Sequence, residues 1–395
     1  MVKWDVINFC LPLRHPLESS ANVHPEKRRP NWKTPGEDFC VASRAHFQQG
    51  KLAMELKEVY RVAREKFKGA CRVCPVCNGR ACAGEMPGIG GIGTGSSFIA
   101  SYESLARIKL NLQTLHEVRE PNISYNFFGL SLKMPILVAP LAGMALNMGN
   151  AMDERPYLSA MVAGAKETGS IAWTCDGPNP MFFDLGMEIL KGNGGWGVPT
   201  LKPRPEEQFL ALARRAEDCG VNAIATDIDA AGIIHLKKAG QPAGPWPVHA
   251  WKKVISQVKV PVILKGVMTV RDARLAVEAG AGGIVVSNHG GRVLDHTPGT
   301  AEVLPGIAAA VKGKIKIFVD GGIRSGADVL KMLALGAEAV LVGRPMAIAA
   351  VGGGKEGVAL LLTQYADQLR TAMIYAGCGS LSEVSAAALH SGERR

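Results

Sequence analysis

A histidine and an arginine stand three residues apart in a glycine turn. The segment SNHGGRVLD places His289 and Arg292 on either side of two glycines. An imidazole can accept a proton near neutral pH, and a guanidinium can hold a carboxylate through two parallel hydrogen bonds. The glycines allow a planar ligand to approach the backbone closely. The pair therefore indicates a site for a small carboxylic acid rather than a structural histidine.

Two further glycine turns are suited to a phosphate group. The segments DGGIRSG and GRP offer glycine backbone N–H groups and two arginines, which together can bind a phosphate dianion. The residues concerned are Asp320, Gly321, Gly322, Arg324, Gly343 and Arg344. Lys265 ends the apolar run PVILK, where an ammonium group needs a negative partner or a pocket. It is suited to stabilise an anion that develops on a bound ring.

Four of the nine cysteines lie within twelve residues. Cys71, Cys74, Cys77 and Cys82 follow the pattern C-x2-C-x2-C-x4-C. Such spacing suits thiolate ligation of zinc or of an iron–sulfur cluster, although it matches neither the bacterial nor the plant-type ferredoxin pattern. Reduced thiols in a turn, or two disulfides, are the alternatives. The other cysteines are scattered, at Cys10, Cys40, Cys175, Cys219 and Cys378. Cys175 is expected at the rim of the site, and the rest as buried small apolar residues.

Eight short apolar runs, each followed by a helical segment, are the elements that must position these groups. They are PILVAP, SIAWTCDG, GWGVPTLKP, AIATDID, PVILKG, GIVVSNHGG, KIFVDGG and AVLVGRP, and their starts are 22 to 38 residues apart. Such an alternation predicts a parallel sheet covered by helices. Eight units predict a closed (β/α)8 TIM barrel; a doubly wound open sheet is the competing architecture. The polar residues that follow the runs would gather at one rim, where barrels of this kind place their active sites.

The N-terminal part of the chain has a different character. Residues 1–50 contain five prolines and no sustained periodicity, which predicts an irregular arm. Residues 51–114 form a helical segment rich in cysteine and glycine, with helices expected over 51–68 and 97–107. The barrel and a C-terminal helix then occupy 115–395.

Composition and charge limit the classes of function. The chain has 395 residues, 47% of them hydrophobic and 20% charged, which is ordinary for a globular protein. No apolar run reaches the roughly 18–20 residues of a membrane span, and no secretory signal is evident. The net charge of +10 is typical of a solvated basic face or of an anionic ligand, and no nucleic-acid motif accompanies it. The odd number of cysteines favours a reducing, cytoplasmic setting.

The segments SNHGGRVLD, DGGIRSGADVLKMLALGA and GRP closely resemble the FMN-dependent 2-hydroxy-acid oxidases and dehydrogenases, among them glycolate oxidase, lactate oxidase and mandelate dehydrogenase. The likeness is strong over 255–350, continues through GGGKEGV and LRTAMIYAGCGSL, and is weak before residue 95. The resemblance implies an enzyme that oxidises a lactate- or glycolate-like 2-hydroxy acid with bound FMN.

The resemblance also implies residue roles. His289 would be the base, oriented by Asp227, and Arg292 would pair with the substrate carboxylate. Lys265 would stabilise the reduced flavin. The remaining flavin contacts would be Pro140, Leu141, Ala142, Ser287, Asp320, Gly321, Gly322, Arg324, Gly343 and Arg344.

The chain departs from the family pattern in its substrate pocket. Of the two tyrosines usual in the family, one aligns with Thr200 and the other with residues 84–97, which contain no tyrosine. A second arginine is also missing after the fourth run, where His235 and Lys237 are possible substitutes. Three additional charged residues are expected to reshape the pocket, namely Asp176, Lys202 and Asp229.

These departures leave alternatives open. One is a non-oxidative FMN enzyme, similar to type 2 isopentenyl-diphosphate isomerase, and another is a redox relay that uses the four-cysteine segment. The electron acceptor is equally open between oxygen, a quinone, a cytochrome and another protein. The resemblance suggests a homo-oligomer.

Overall fold

The structure is a computed structural model that describes residues 54–232, 236, 239–240 and 243–391. The predicted arm over 1–50, with Cys10 and Cys40, lies outside the described residues, as do His235 and Lys237. One compact unit spans Ala53–Arg395, so the cysteine- and glycine-rich segment packs together with the barrel.

A short antiparallel hairpin precedes the barrel. Its strands β1 (Tyr125–Phe127) and β2 (Leu130–Leu132) are joined by Phe128 and Gly129, both with positive φ. Positive φ at both central residues is the conformation that two-residue hairpin loops favour. The sequence analysis did not predict this hairpin, because three-residue strands carry too little alternation to be recognised.

Eight parallel strands form the barrel, and each coincides with one of the predicted apolar runs, although β7 continues one residue beyond its run. They are β3 (Ile136–Val138), β4 (Trp173–Cys175), β5 (Val198–Leu201), β6 (Ile224–Asp227), β7 (Val262–Val267), β8 (Gly283–Val286), β9 (Lys316–Asp320) and β10 (Ala339–Val342). The order is β3-β10-β9-β8-β7-β6-β5-β4, and a parallel bridge between Val138 and Ala172 closes the ring. The predicted TIM barrel is confirmed, and the open doubly wound sheet is excluded.

Aromatic side chains fill the barrel interior and its N-terminal end. Phe318, on β9, lies 5.7 Å from Phe127 of the hairpin and 6.2 Å from Trp173 on β4, measured between ring centroids. All three are essentially inaccessible to solvent. Because the hairpin closes this end with apolar residues, a ligand can enter the barrel only from the C-terminal ends of the strands.

Helices surround the barrel. They are α1 (Leu56–Phe67), α2 (Ser96–Arg107), α3 (Met144–Asn147), α4 (Glu154–Glu167), α5 (Met181–Gly192), α6 (Glu206–Glu217), α7 (Val248–Ile255), α8 (Val270–Glu278), α9 (Thr300–Val311), α10 (Gly326–Ala334) and α11 (Arg344–Tyr375). The helices predicted over 51–68 and 97–107 correspond to α1 and α2. Within the described residues, α11 alone has the length and composition of a membrane span, yet 61% of its most apolar stretch is buried in the protein. This helix is part of the core.

The N-terminal segment covers the C-terminal rim of the barrel. Helix α1 buries Val59, Ala63 and Phe67, and Gly352 of α11 lets the backbone of Val59 approach so closely that a Cβ would lie 2.0 Å from its carbonyl oxygen. Residues 68–95 contain no regular helix or strand. The amide of Ile92 donates to the carbonyl of Gly291, which places this glycine-rich stretch directly over the predicted catalytic turn.

Candidate active site

A cavity of about 190 Å³ opens at the C-terminal ends of the strands. All of the predicted catalytic and cofactor residues except Ser287 line it. The cavity lining also includes Cys175, Asp176 and Lys202. It does not include Thr200, the residue at the position where the family that this sequence resembles usually has a tyrosine. The eight strands therefore bring together side chains that are separated by up to about 200 residues in the sequence.

His289 is held by a carboxylate in a strained turn. Its φ is +56°, and Gly290 and Gly291 continue with φ of +63° and +74°; only the glycines adopt this region without cost. The imidazole Nδ1 lies 3.0 Å from Asp229 Oδ1 and 3.1 Å from Oδ2. Within the described part of the chain no hydrogen bond is made to Nε2, so this nitrogen can accept a proton.

In this structure Asp229 makes the hydrogen bond to His289, and Asp227, which the resemblance assigned to orienting the imidazole, does not. The nearest oxygen of Asp227 is 4.0 Å from Nδ1, beyond hydrogen-bond distance. Asp227 instead pairs with two buried lysines: it accepts a hydrogen bond from Lys202 and lies 3.1 Å from Lys265 Nζ. The segment DID contains two carboxylates two residues apart, and the first of them, Asp227, pairs with the lysines.

These lysines determine the charge of the cavity wall. Burial raises the pKa of Asp227, but Lys202 and Lys265 outweigh it and hold that pKa well below its usual range. Burial opposes a charge on Lys265 as well, yet Asp227 and then Asp320 raise its pKa above the usual value. All three groups are therefore ionised. The two ammonium groups disfavour a metal ion between Asp227, Asp229 and His289, although these side chains approach within 4.8 Å of one another.

Arg204 is a charged residue that the sequence analysis missed. Its Nη2 and Nε donate to Asp176 at 2.7 and 2.9 Å, as a two-pronged ion pair. The predicted additional charge at Asp176 is thus neutralised, and only 1% of its side chain is exposed. The segment KPRP, which directly follows β5, could have indicated a second cation at this rim.

Arg292 is anchored by the glycine-rich segment. Its Nη1 donates to the carbonyls of Gly88 and Gly90, and its Nη2 donates to Asn147 Oδ1 at 2.8 Å. Burial and then the neighbouring charge of Arg344 lower the pKa of Arg292 to about 9. The residues that replace the expected N-terminal tyrosine therefore contribute backbone carbonyls rather than a side chain.

The part of the cavity next to Arg292, around Arg344 and Arg324, has the composition of a phosphate site. Arg344 donates to the carbonyls of Ile89 and Gly290, and its guanidinium lies 3.7 Å from the ring centroid of Phe98. Burial lowers the pKa of Arg344 to about 10. Within the described residues, neither it nor Arg292 nor Arg324 forms an ion pair with a carboxylate. This excess of buried positive charge favours a bound anion.

Gly322 and Asp320 complete a cradle for a phosphorylated polyol. A Cβ at Gly322, whose φ is +80°, would lie 2.1 Å from the carbonyl oxygen of Ser101, so no other residue fits. Asp320 Oδ2 accepts from Ser287 Oγ at 2.8 Å, while the buried Oδ1 has no partner among the described residues. A hydroxyl of a ribityl chain would satisfy this oxygen. Ser287 was predicted to contact the flavin but lies behind Asp320.

The chemistry of the residues that line the cavity fits FMN. Arg324, Arg344 and the glycine turns match its phosphate, and Asp320 matches its ribityl chain. Lys265 provides a fixed positive charge for the ring, and Pro140, Leu141 and Ala142 line the cavity directly after β3.

The four predicted metal-binding cysteines lie at a second, smaller cavity. Cys71, Cys74, Cys77 and Cys82 all line it and all are free thiols, so the structure contains no disulfide among them. Arg344 and Ile89 line both cavities. The cysteine cavity and the phosphate end of the candidate active site thus share a wall.

Comparison with known proteins gives one family. The family model described as FMN-dependent dehydrogenase matches residues 89–244 and 235–391. The chain is 36% identical to 4-hydroxymandelate oxidase of Amycolatopsis orientalis, over 74% of this chain and 89% of that protein. It is 32% identical to glycolate oxidase 3 of Arabidopsis thaliana, over 71% of this chain and 84% of that protein. The crystal structure of mandelate oxidase with (S)-4-hydroxymandelic acid superposes with a TM-score of 0.69 at 32% identity, and covers 85% of this chain and 98% of that one. This chain belongs to the family of FMN-dependent 2-hydroxy-acid oxidases and dehydrogenases.

Proposed function

We propose that this protein oxidises a small 2-hydroxy acid to the 2-oxo acid, with His289 as the base and Arg292 as the carboxylate anchor. One observation carries the proposal: a single cavity holds an imidazole with an available Nε2 and a buried guanidinium that has no carboxylate partner among the described residues. The first group can take a proton from the substrate, and the second can hold its carboxylate.

The chain supplies binding, orientation and proton transfer, while bound FMN supplies the two-electron sink. His289 Nε2 accepts a proton from the substrate, and the carboxylate of Asp229 at Nδ1 stabilises the imidazolium that results. Lys265 remains protonated in the cavity and would stabilise the negative charge of a reduced flavin bound there. The buried pair of Asp227 and Lys202 adds no net charge, so it leaves this balance unchanged.

Part of the cavity lining is apolar and favours a substrate with an apolar substituent. It comprises Met86, Leu146, Pro178, Phe182 and Leu236. Two cations at this rim, Arg204 and Lys202, already pair with Asp176 and Asp227. They are not available to a second carboxylate, and burial of a carboxylate without a partner is costly. We expect monocarboxylic 2-hydroxy acids to be accepted and 2-hydroxy dicarboxylic acids to be rejected.

The test is an anaerobic titration of the purified flavoprotein with single L- and D-2-hydroxy acids, followed by its visible spectrum. One class of monocarboxylic acid should bleach the flavin. His289→Asn should keep its flavin but bleach far more slowly, and Arg292→Lys should need higher substrate concentrations. The exposed His249→Asn is the matched control. A flavin that dithionite reduces but that every 2-hydroxy acid leaves oxidised would contradict the proposal. The electron acceptor follows from reoxidising the bleached enzyme with oxygen, a quinone or cytochrome c.

A non-oxidative FMN enzyme is the second candidate. It is favoured by the absence of tyrosine from the described lining of the cavity, because the phenolic hydroxyls expected to bind a hydroxy acid in this family are not provided there. Isomerisation of isopentenyl diphosphate by the dithionite-reduced protein, together with no bleaching by hydroxy acids, would identify it.

A further inference from the structure

We propose that Cys71, Cys74, Cys77 and Cys82 ligate an iron–sulfur cluster in the small cavity beside the flavin site. This site lies outside the chemistry proposed above. The four thiols come from one twelve-residue segment without regular secondary structure, yet all four converge on the same cavity. Four cysteines are the ligand set of both common cluster types.

The spacing of the sulfurs argues against a zinc site. A tetrahedral zinc ion with bonds of about 2.3 Å brings its four sulfurs into a compact group. Within the described residues, no three of these Sγ atoms lie within 4.8 Å of one another. The four thiols surround a cavity of about 20 Å³ and do not pack sulfur against sulfur. A cluster spreads its thiolates further apart, because each binds a different iron.

The surroundings supply the charge that a thiolate-bound cluster requires. Arg324 Nη2 lies 3.6 Å from Cys77 Sγ, and its Nε donates to the Cys77 carbonyl at 2.9 Å. Arg344 lines the same cavity. Two guanidinium groups thus face four sulfurs, and no described carboxylate pairs with either guanidinium. These cations also line the flavin cavity, and they would lower the cost of burying the net negative charge of a cluster with four thiolates.

The backbone of the segment is held in an unfavourable conformation. Val73 has a φ of +44°, which is a genuine outlier for a β-branched residue. In this conformation its N–H points at Cys71 Sγ, with an N···S distance of 3.4 Å. Hydrogen bonds from backbone N–H groups to ligand sulfurs are one means by which proteins tune iron–sulfur clusters. Strain that turns an amide toward a sulfur points to a function for that sulfur.

The position also favours a redox-active occupant over zinc. Arg344 and Ile89 separate this cavity from the flavin cavity, so an occupant lies one layer of side chains from the phosphate end of the flavin site. Zinc has no redox chemistry, whereas an iron–sulfur cluster beside a flavin has a redox partner.

The test measures what the cysteines bind, independently of turnover. The full chain is purified anaerobically, reconstituted with ferrous iron and sulfide, and analysed for iron, acid-labile sulfide and zinc per chain. We expect iron and sulfide in equal amounts, about two or about four of each per chain, and an electron paramagnetic resonance signal after dithionite reduction. The fully reduced flavin is diamagnetic and does not obscure that signal.

Variants locate the site. Cys74→Ser and Cys82→Ser should lose iron and sulfide while they retain FMN, which shows that they fold. Cys219→Ser and Cys378→Ser change cysteines outside the cavity and should keep the full content. Stoichiometric zinc without acid-labile sulfide would show that the four cysteines bind zinc and would contradict the proposed cluster. Four reactive thiols with neither metal nor sulfide after reconstitution would overturn the proposal altogether.

Discussion

Asp229→Asn should slow flavin reduction without unfolding the protein. Asp229 is the described hydrogen-bond partner of His289 Nδ1, at 3.0 and 3.1 Å. A hydrogen bond to a charged group contributes about 1.5–3 kcal/mol. The imidazole becomes charged only as it takes the proton, so most of this energy is lost in the transition state rather than in the ground state. At about 1.4 kcal/mol for each factor of ten, the expected loss is about 10- to 150-fold in the rate of flavin reduction.

The second consequence of this substitution concerns the tautomer. An asparagine can turn its amide nitrogen toward Nδ1 and thereby favour the proton on Nε2, which would block the base. The rate of flavin reduction can therefore fall by more than about 150-fold, but it should fall by at least about 10-fold.

The assay is anaerobic stopped-flow reduction of the bound flavin by the best 2-hydroxy acid. Asp227→Asn is the comparison, since it removes a carboxylate 4.0 Å from the same Nδ1. It leaves the buried Lys202 without its carboxylate partner, and it leaves Lys265 with the more distant Asp320 at 3.9 Å. Its main effect should be on stability, by about 3–5 kcal/mol. If Asp229→Asn reduces its flavin at the wild-type rate while Asp227→Asn abolishes reduction in a protein of normal melting temperature, the assignment of Asp229 is refuted.

Three further predictions concern stability and cofactor binding. The ion pairs of Asp227 should stabilise the protein above about pH 4, because the pKa of Asp227 is lowered on folding. The difference in melting temperature between wild type and Asp227→Asn should therefore become smaller below that pH. A difference that does not depend on pH would contradict the ion pairing. Gly291→Ala should lower the free energy of unfolding by at least about 1–2 kcal/mol, since φ is +74° and a Cβ would lie 2.5 Å from the amide nitrogen of Phe98. Thermal unfolding measures this loss. The exposed Gly313→Ala is the control, because Gly313 has a φ of +82° but no atom near its Cβ position, so it shows the backbone strain without the steric contact. Arg344→Lys should weaken FMN binding about 10- to 150-fold through lost charge-assisted hydrogen bonds, as measured by flavin fluorescence during titration of the apoprotein, whereas an unchanged affinity would place the phosphate elsewhere.

The barrel could be predicted because a closed parallel sheet imposes a regular pattern of apolar runs on the sequence. A parallel strand covered on both faces must be apolar along its whole length, and β8 and β10 read GIVV and AVLV. Each run then ends in polar residues at the one rim that is open to a ligand. The glycine turn of His289 was recognisable for a similar reason, since its conformation requires glycines at fixed positions.

The pairing of charges at the rim was not predictable. Asp227 and Asp229 are two residues apart after the same strand, and nothing in that segment says which one faces the histidine. The choice depends on Lys202 and Lys265, which arrive from two other strands and compensate Asp227. Arg204 was missed for the same reason, since its partner Asp176 lies 28 residues away. Such choices are made by tertiary electrostatics, which a local pattern does not contain.

The glycine-rich stretch connects the cysteine cavity to two arginines of the candidate active site. The carbonyl of Gly90 accepts from Arg292 at 3.3 Å and from Arg344 at 3.2 Å. Gly90 itself packs so tightly against the cysteine segment that a Cβ would lie 1.9 Å from the carbonyl oxygen of Cys82. Because this contact is between two backbones, the segment cannot shift without moving Gly90. The backbone at Cys82 therefore helps to position Arg292, the proposed carboxylate anchor, and Arg344, the proposed phosphate ligand. Where the related enzymes are expected to use a tyrosine side chain, the described residues of this chain position the proposed anchor through backbone carbonyls.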